Sequence, residues 1–170
     1  VSSATLAFIS LLGLANPSSL SFSPASLDFG TVLVGGSSTL PIQVTNSSLT
    51  PAIFNGIATI GDYAASGSCP TPGGTLAPST SCTLQATFTP THPGTRAGIL
   101  KVSNSLSTLP LTVALTGTGA QSRLQANPSS FNFGSLALAA SANLSLTLSN
   151  TGTAPITNLA LAITGDYAIN

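Results

Sequence analysis

The sequence predicts an all-β chain of two-layer antiparallel sandwiches set head to tail. Three observations carry this reading. Apolar and polar residues alternate with period two along several short stretches, no stretch keeps a helical period, and one block occurs twice. Leu20-Ser-Phe-Ser-Pro-Ala-Ser-Leu-Asp-Phe-Gly30 returns as Leu124-Gln-Ala-Asn-Pro-Ser-Ser-Phe-Asn-Phe-Gly134. Asn46, Pro51 and Gly61-Asp62-Tyr63-Ala64 return as Asn150, Pro155 and Gly165-Asp166-Tyr167-Ala168. Every pair is 104 positions apart with no gap, and 14 of 47 positions are identical between Leu20–Ser66 and Leu124–Asn170. Shared Leu, Ser and Ala richness would not align Pro, Phe-Gly, Asn and Gly-Asp-Tyr in one register.

The period divides the chain. Residues 20–119 make one complete sandwich, and residues 124–170 make a partial second one. The apolar run within residues 1–16 has three readings. It is too short to span a bilayer as a helix. It fits the length of a secretory h-region but lacks a Met and a basic start. Shifted by 104, Leu11 falls on Leu115 and Gly13 on Gly117. That makes residues 1–16 the last strand of a preceding repeat, or an N-terminal donor strand. The natural chain is then expected to continue past Asn170.

The elements follow in order. Leu27 and Phe29 alternate with Ser26 and Asp28, and Pro24 suits an edge. Gly35-Gly36 is a turn. Leu40, Ile42 and Val44 point inward, as do Leu144, Leu146 and Leu148 in the second copy. Ala52–Ile60 is a third strand, and Gly61-Asp62-Tyr63 turns out of it. A metal role for Asp62 has no second carboxylate nearby to support it. Gly67–Thr80 reads as a loop. Ser81–Pro90 is a strand with Cys82, Leu84, Ala86 and Phe88 inward. Pro90–Gly94 turns into a strand over Arg96–Ser103. Leu109–Gly117 closes the unit as an edge strand, with Leu109 inward and Pro110 outward. Gly117–Arg123 is a linker with little slack. Seven short strands in this span, with turn signals between them, describe an immunoglobulin-like sandwich.

Charge is the unusual feature of the composition. Asp28, Asp62, Asp166, Arg96, Lys101 and Arg123 are the only charged residues, 4% of the chain, and they cancel. Soluble domains carry about 25%. No basic patch exists for nucleic acid or anionic lipid. A 42% hydrophobic content with clear alternation excludes disorder. So uncharged a surface lacks the repulsion that keeps copies apart, which points to partners that are copies of the chain, neighbouring repeats or glycan.

Cys69 and Cys82 are the only cysteines. A disulfide is preferred to two buried free thiols, given an all-β, extracellular-looking composition. A bridge would pin the Gly67–Thr80 loop to the next strand. Two Cys and the lone His92 leave a zinc set short. Asn46-Ser-Ser48 and Asn143-Leu-Ser145 match the N-glycan acceptor pattern.

Ser26-Leu-Asp-Phe-Gly30, Cys69, Leu76-Ala-Pro-Ser-Thr-Ser-Cys-Thr83, Phe88-Thr-Pro90 with Gly94 and Gly98, and Leu115-Thr-Gly-Thr-Gly119 together carry a resemblance. The pattern resembles the bacterial branch of the ASPM/SPD-2/Hydin-type domains, which are similar to the major sperm protein fold. Bacterial copies occur as tandem repeats in secreted or surface proteins of the choice-of-anchor D kind. The resemblance implies an immunoglobulin-like sandwich acting as a spacer or binding module. It supplies no catalytic residue, and no cofactor or metal site is expected.

Catalysis is disfavoured from the residues too. His92 lies in a Pro-flanked turn, and there is neither a paired carboxylate motif nor a nucleotide-binding fingerprint. The expected function is a non-catalytic structural module of an extracellular or cell-surface protein, forming a stalk, fibre or filament. The alternatives are an adhesin-type glycan- or protein-binding module, with Gly67–Thr80 and Thr91–Thr95 as the loops to watch, and a filament subunit joined by donor-strand exchange.

Overall fold

Period-two patterning places each strand's apolar residues on one face, and burying those faces requires a second sheet. The computed structural model describes residues 20–169 and shows that arrangement for 20–120. Nine strands form it: β1 (Leu20–Ser23), β2 (Ser26–Leu33), β3 (Ser38–Asn46), β4 (Ala52–Ile60), β5 (Tyr63–Gly67), β6 (Thr75–Leu76), β7 (Thr80–Phe88), β8 (Gly94–Asn104) and β9 (Leu111–Ala120). One sheet has the order β1-β3-β7-β5 and the other β2-β9-β8-β4-β6. The residues expected for a strand ending the preceding repeat lie outside the described residues.

The core lies between the two sheets. Ile42 and Val44 of β3, with Leu84, Ala86 and Phe88 of the adjoining β7, face Leu100 and Val102 of β8 and Val113 and Leu115 of β9 in one buried cluster. Leu84 is 2% exposed and Phe88 fully buried. Phe29, Tyr63 and Phe88 close one end, with ring centroids 4.9–5.7 Å apart. Two glycines make room for those rings. A Cβ on Gly98 would sit 2.2 Å from Tyr63 Cδ2, and one on Gly117 2.5 Å from Phe88 Cε1. Rings packed flat against a neighbouring strand therefore demand glycine beneath them.

Several elements differ from the sequence reading. β5 and β6 are strands where the pattern gave a turn and a loop. Both are short, and β5 carries Tyr63, Ala65 and Gly67 on its inward register, too weak an apolar signal to register as a strand. β9 starts at Leu111 and lies between β2 and β8, so it is not an edge strand. Pro110 has no N–H to offer a ladder, so pairing begins after it, and Leu109 is 75% exposed rather than inward. One pairing is parallel: β2 runs alongside β9. After pairing antiparallel with β3, the chain turns at Ser23–Pro24, and β2 joins the opposite sheet.

Residues 124–169 hold β10 (Leu124–Asn127) and β11 (Thr147–Asn150), paired antiparallel. Leu124 faces Asn150 as Leu20 faces Asn46, each partner 104 positions on. Gly30 and Gly134 have φ of 64° and 63°, and each N–H donates to the carboxylate or amide oxygen two residues back, Asp28 or Asn132. The inward expectation for this stretch does not hold. Leu144 and Leu146 are 47% and 45% exposed, because no described segment here plays the part of β7, β8 or β9. The linker is Gln121–Arg123, shorter than expected because β9 continues to Ala120. It is tied down: Thr153 N–H donates to Gln121 O at 2.8 Å, and Thr151 N–H to Arg123 O at 2.8 Å.

Candidate interaction surface

The two cysteines sit on neighbouring segments because β5 hands the chain across the open side of the sandwich towards β6. Cys69 lies just past β5, Cys82 in β7 beside it, and the two form a disulfide with Cα atoms 4.9 Å apart. Ser68 N–H donates to Thr83 O at 2.8 Å, so the loop is anchored to β7 by backbone as well as by sulfur. Beyond it, Gly73 N–H donates to Phe54 O, and Phe54 N–H to Gly74 O, fastening the loop to β4 of the other sheet. The loop therefore bridges both layers at one side.

A groove of about 280 Å³ follows from this bridging. Ile57, Ala58 and Thr59 of β4 form one wall, Ala65, Ser66 and Gly67 of β5 the other, and Cys69-Pro-Thr-Pro72 the end. β5 is the outer strand of its sheet, so one row of its backbone groups is unpaired within the sheet. None of the lining residues is charged. The groove can accept an extended, uncharged segment by adding backbone hydrogen bonds to β5. Its lining carries the hydroxyls of Thr59, Ser66 and Thr71 but no carboxylate, imidazole or amine beside them.

The charged groups gather elsewhere. Asp62, in the β4–β5 turn, accepts a 2.6 Å charged hydrogen bond from Arg96 Nε. Thr91 donates to the same carboxylate through its N–H at 3.2 Å and its hydroxyl at 3.1 Å. The Arg96 hydrogen bond, helped by Thr91, holds the Asp62 carboxyl below the ordinary aspartate value and raises Arg96 in turn. Tyr63 donates its hydroxyl to Arg96 O at 2.8 Å, and burial pushes its phenol upward. Local pattern identifies Asp62 only as a turn residue, since its partner Arg96 is 34 residues away.

His92 Nδ1 lies 3.0 Å from Thr91 Oγ1, which completes a row of carboxylate, hydroxyl and imidazole. The order differs from a hydrolase relay. There the imidazole stands between hydroxyl and carboxylate, taking the hydroxyl proton and being oriented by the acid. Here the hydroxyl stands in the middle, and its single proton serves the turn. Among the described residues, no three His, Cys, Asp or Glu side chains come together as metal ligands.

The glycan expectation for Asn46 is corrected. Its side chain is fully buried at the end of β3. Nδ2 donates to Thr50 O, Leu76 O and Ala77 O at 3.0–3.2 Å, and Oδ1 accepts from Ser48 N–H and Oγ. The amide holds the β3–β4 turn against the β6 segment, so its nitrogen is unreachable in the fold. Strand-ending Asn followed by Ser gave the glycan motif by coincidence with a capping role. Asn150 repeats part of this, donating to Ala154 O at 2.7 Å. Asn143 is exposed.

Comparisons with known proteins agree with this architecture. The HYDIN/CFA65/VesB-like Ig-like domain family matches residues 18–118. No curated protein sequence matches the chain. Among solved structures, the secreted serine protease VesC from Vibrio cholerae is similar at a TM-score of 0.50 and 19% identity, over 63% of this chain and 24% of VesC. The seventh PapD-like (ASH) domain of human CEP192 is similar at a TM-score of 0.50 and 14% identity, over 70% of this chain and 97% of that domain. The chain thus spans about a quarter of VesC and nearly all of the isolated CEP192 domain. Nine strands in two layers, a glycine-seated aromatic end and a match over 18–118 place the chain in the HYDIN/CFA65/VesB-like Ig-like domain family.

Proposed function

We propose that the chain is a non-catalytic structural module of a secreted or cell-surface protein, in which copies of the sandwich follow one another as a stalk or fibre. The carrying observation is the strand register that recurs after 104 residues, Leu20↔Asn46 and Leu124↔Asn150. The hydrogen-bonded linker at Gln121–Arg123 supports a fixed angle between successive units. The Cys69–Cys82 disulfide and the scarcity of charge fit an oxidising exterior. Similarity to part of a protease described as secreted is in keeping with it.

Fractionation of source cells tests this. The protein is expected in the extracellular or surface fraction with Cys69 and Cys82 resistant to alkylation before reduction. A cytosolic protein with two alkylatable thiols would overturn the reading.

The groove beside the disulfide favours a second reading, a module that captures an extended uncharged peptide or glycan. Glycan-array and peptide-array binding that is lost in Ala65→Trp, which fills the groove, would support it. Equal binding by both proteins would remove it.

A further inference from the structure

Asn55–Gly56 is the only Asn-Gly pair in the sequence. It stands where β4 slips register against β8: Phe54 faces Asn104 and Gly56 faces Ser103, so Asn55 has no cross-strand partner. Asn55 is exposed and hydrogen-bonds through its side chain to none of the described residues. Gly56 has open space where a Cβ would point. The other asparagines followed by a small residue in the sandwich are held. Asn46 is locked by the five hydrogen bonds described above, and Asn104 is 4% exposed with Oδ1 accepting Leu106 N–H at 2.9 Å.

We propose that Asn55–Gly56 is a self-modifying site that converts to aspartate and isoaspartate in the folded protein. The Gly56 backbone nitrogen attacks Asn55 Cγ and closes a five-membered succinimide. The Cγ–Nδ2 bond breaks, and Nδ2 leaves as ammonia with the electron pair and the proton given up by Gly56. Water then opens the ring, at the side-chain carbonyl to give isoaspartate's counterpart, aspartate, from attack on the former amide carbon, or at the backbone carbonyl to give isoaspartate. Water is the only co-reactant.

A regular strand opposes this reaction, because paired, extended backbone keeps the nitrogen away from its own side-chain carbonyl. A bulge relaxes that constraint at one residue. Glycine leaves the attacking nitrogen unshielded. The consequence is large for this surface. One new carboxylate takes the formal net charge from 0 to one negative. Isoaspartate adds a backbone carbon between Phe54, pinned by Gly73 and Gly74, and Ile57, a wall of the groove. The site is then a clock that alters the groove's edge with age.

The test compares native and denatured protein held at mildly alkaline pH, followed by peptide mass mapping and an isoaspartate assay. A site protected by the fold would react only through opening, and so far more slowly than in the unfolded chain. Asn55 is expected to convert in the native protein within roughly tenfold of its unfolded rate, while Asn46 and Asn104 do not convert. Gly56→Ala fits the open space and is expected to slow conversion about tenfold or more, ~1.4 kcal/mol on the barrier. Asn55→Gln, whose ring closure would be six-membered, is expected to remain unmodified and serves if Gly56→Ala does not fold. Native Asn55 stable while denatured Asn55 converts would overturn the proposal. So would equal rates in Gly56→Ala and the parent.

Discussion

Residues 20–120 and 124–169 begin with nearly the same instructions and reach different ends. Both start with a proline turn, a Phe-Gly step at positive φ and a strand pair in the same register. In the first, Ile42 and Val44 are fully buried. In the second, Leu146 in Ile42's place is 45% exposed, and Tyr167 in Tyr63's place 57% against 7%. Local signals therefore suffice for turn geometry and for the first strand pairing. Burial does not follow from them, since it needs the facing sheet that β7, β8 and β9 complete in the first unit. The aromatic end shows the same thing. Phe29 packs at a tilt against the buried Tyr63 and Phe88, whereas Phe133 meets Phe131 at 6.1 Å and Tyr167 at 5.6 Å in a cluster that leaves Tyr167 exposed.

The sharpest way to break this comparison is to truncate equivalent positions. Ile42→Ala is expected to cost about 2–5 kcal/mol, whereas Leu146→Ala changes stability by less than about 0.5 kcal/mol. Denaturant unfolding of both variants checks it, and equal losses would mean that residues 124–169 bury a core of their own. Next in size is the disulfide. Cys69→Ser with Cys82→Ser opens a loop of sequence separation 13. That is expected to lower stability by roughly 3 kcal/mol in thermal or urea melts, with the second unit unaffected. Gly98→Ala puts a methyl into the Tyr63 ring and is expected to cost about 1–3 kcal/mol. Gly165→Ala, with nothing closer than 3.5 Å, lacks that clash, and its cost comes instead from the φ of 85° that alanine rarely adopts.

The smallest effect is electrostatic. Asp62 has its folded pKa lowered, chiefly by the Arg96 hydrogen bond. Its contribution is therefore fully present above the ordinary aspartate value of 3.8 and is lost as pH falls through the lowered folded value. Melting temperature is expected to be flat from neutral pH to near 5 and to decline only below about 4, with the decline reduced in Asp62→Asn.

Much of the sandwich was legible in the sequence. β4 spans Ala52–Ile60 as the alternation gave it, and the inward set Cys82, Leu84, Ala86 and Phe88 of β7 is buried. Period two is a strong signal wherever one face is wet. β5 was not legible, because Ala64-Ala-Ser-Gly67 offers no contrast between faces. The parallel β2–β9 pair and the Asp62–Arg96 contact join residues far apart in sequence, and no local pattern encodes such a meeting. Of the candidate site, the Cys69–Cys82 pairing was readable from composition, but the groove beside it was not. Its walls come from two sheets, and its end from a loop whose path only the fold determines. Asn46 misled for a physical reason: an amide that ends a strand by holding backbone carbonyls shares its Asn-Ser-Ser context with a glycan acceptor.

Native-state hydrogen exchange tests the central claim most directly, that residues 20–120 form a self-sufficient two-sheet core. Amides of β3, β7, β8 and β9 are expected to exchange slowest, at the global unfolding free energy, while those of 131–146 exchange close to unprotected rates. Comparable protection across 131–146, or rapid exchange along β7 and β8, would contradict it.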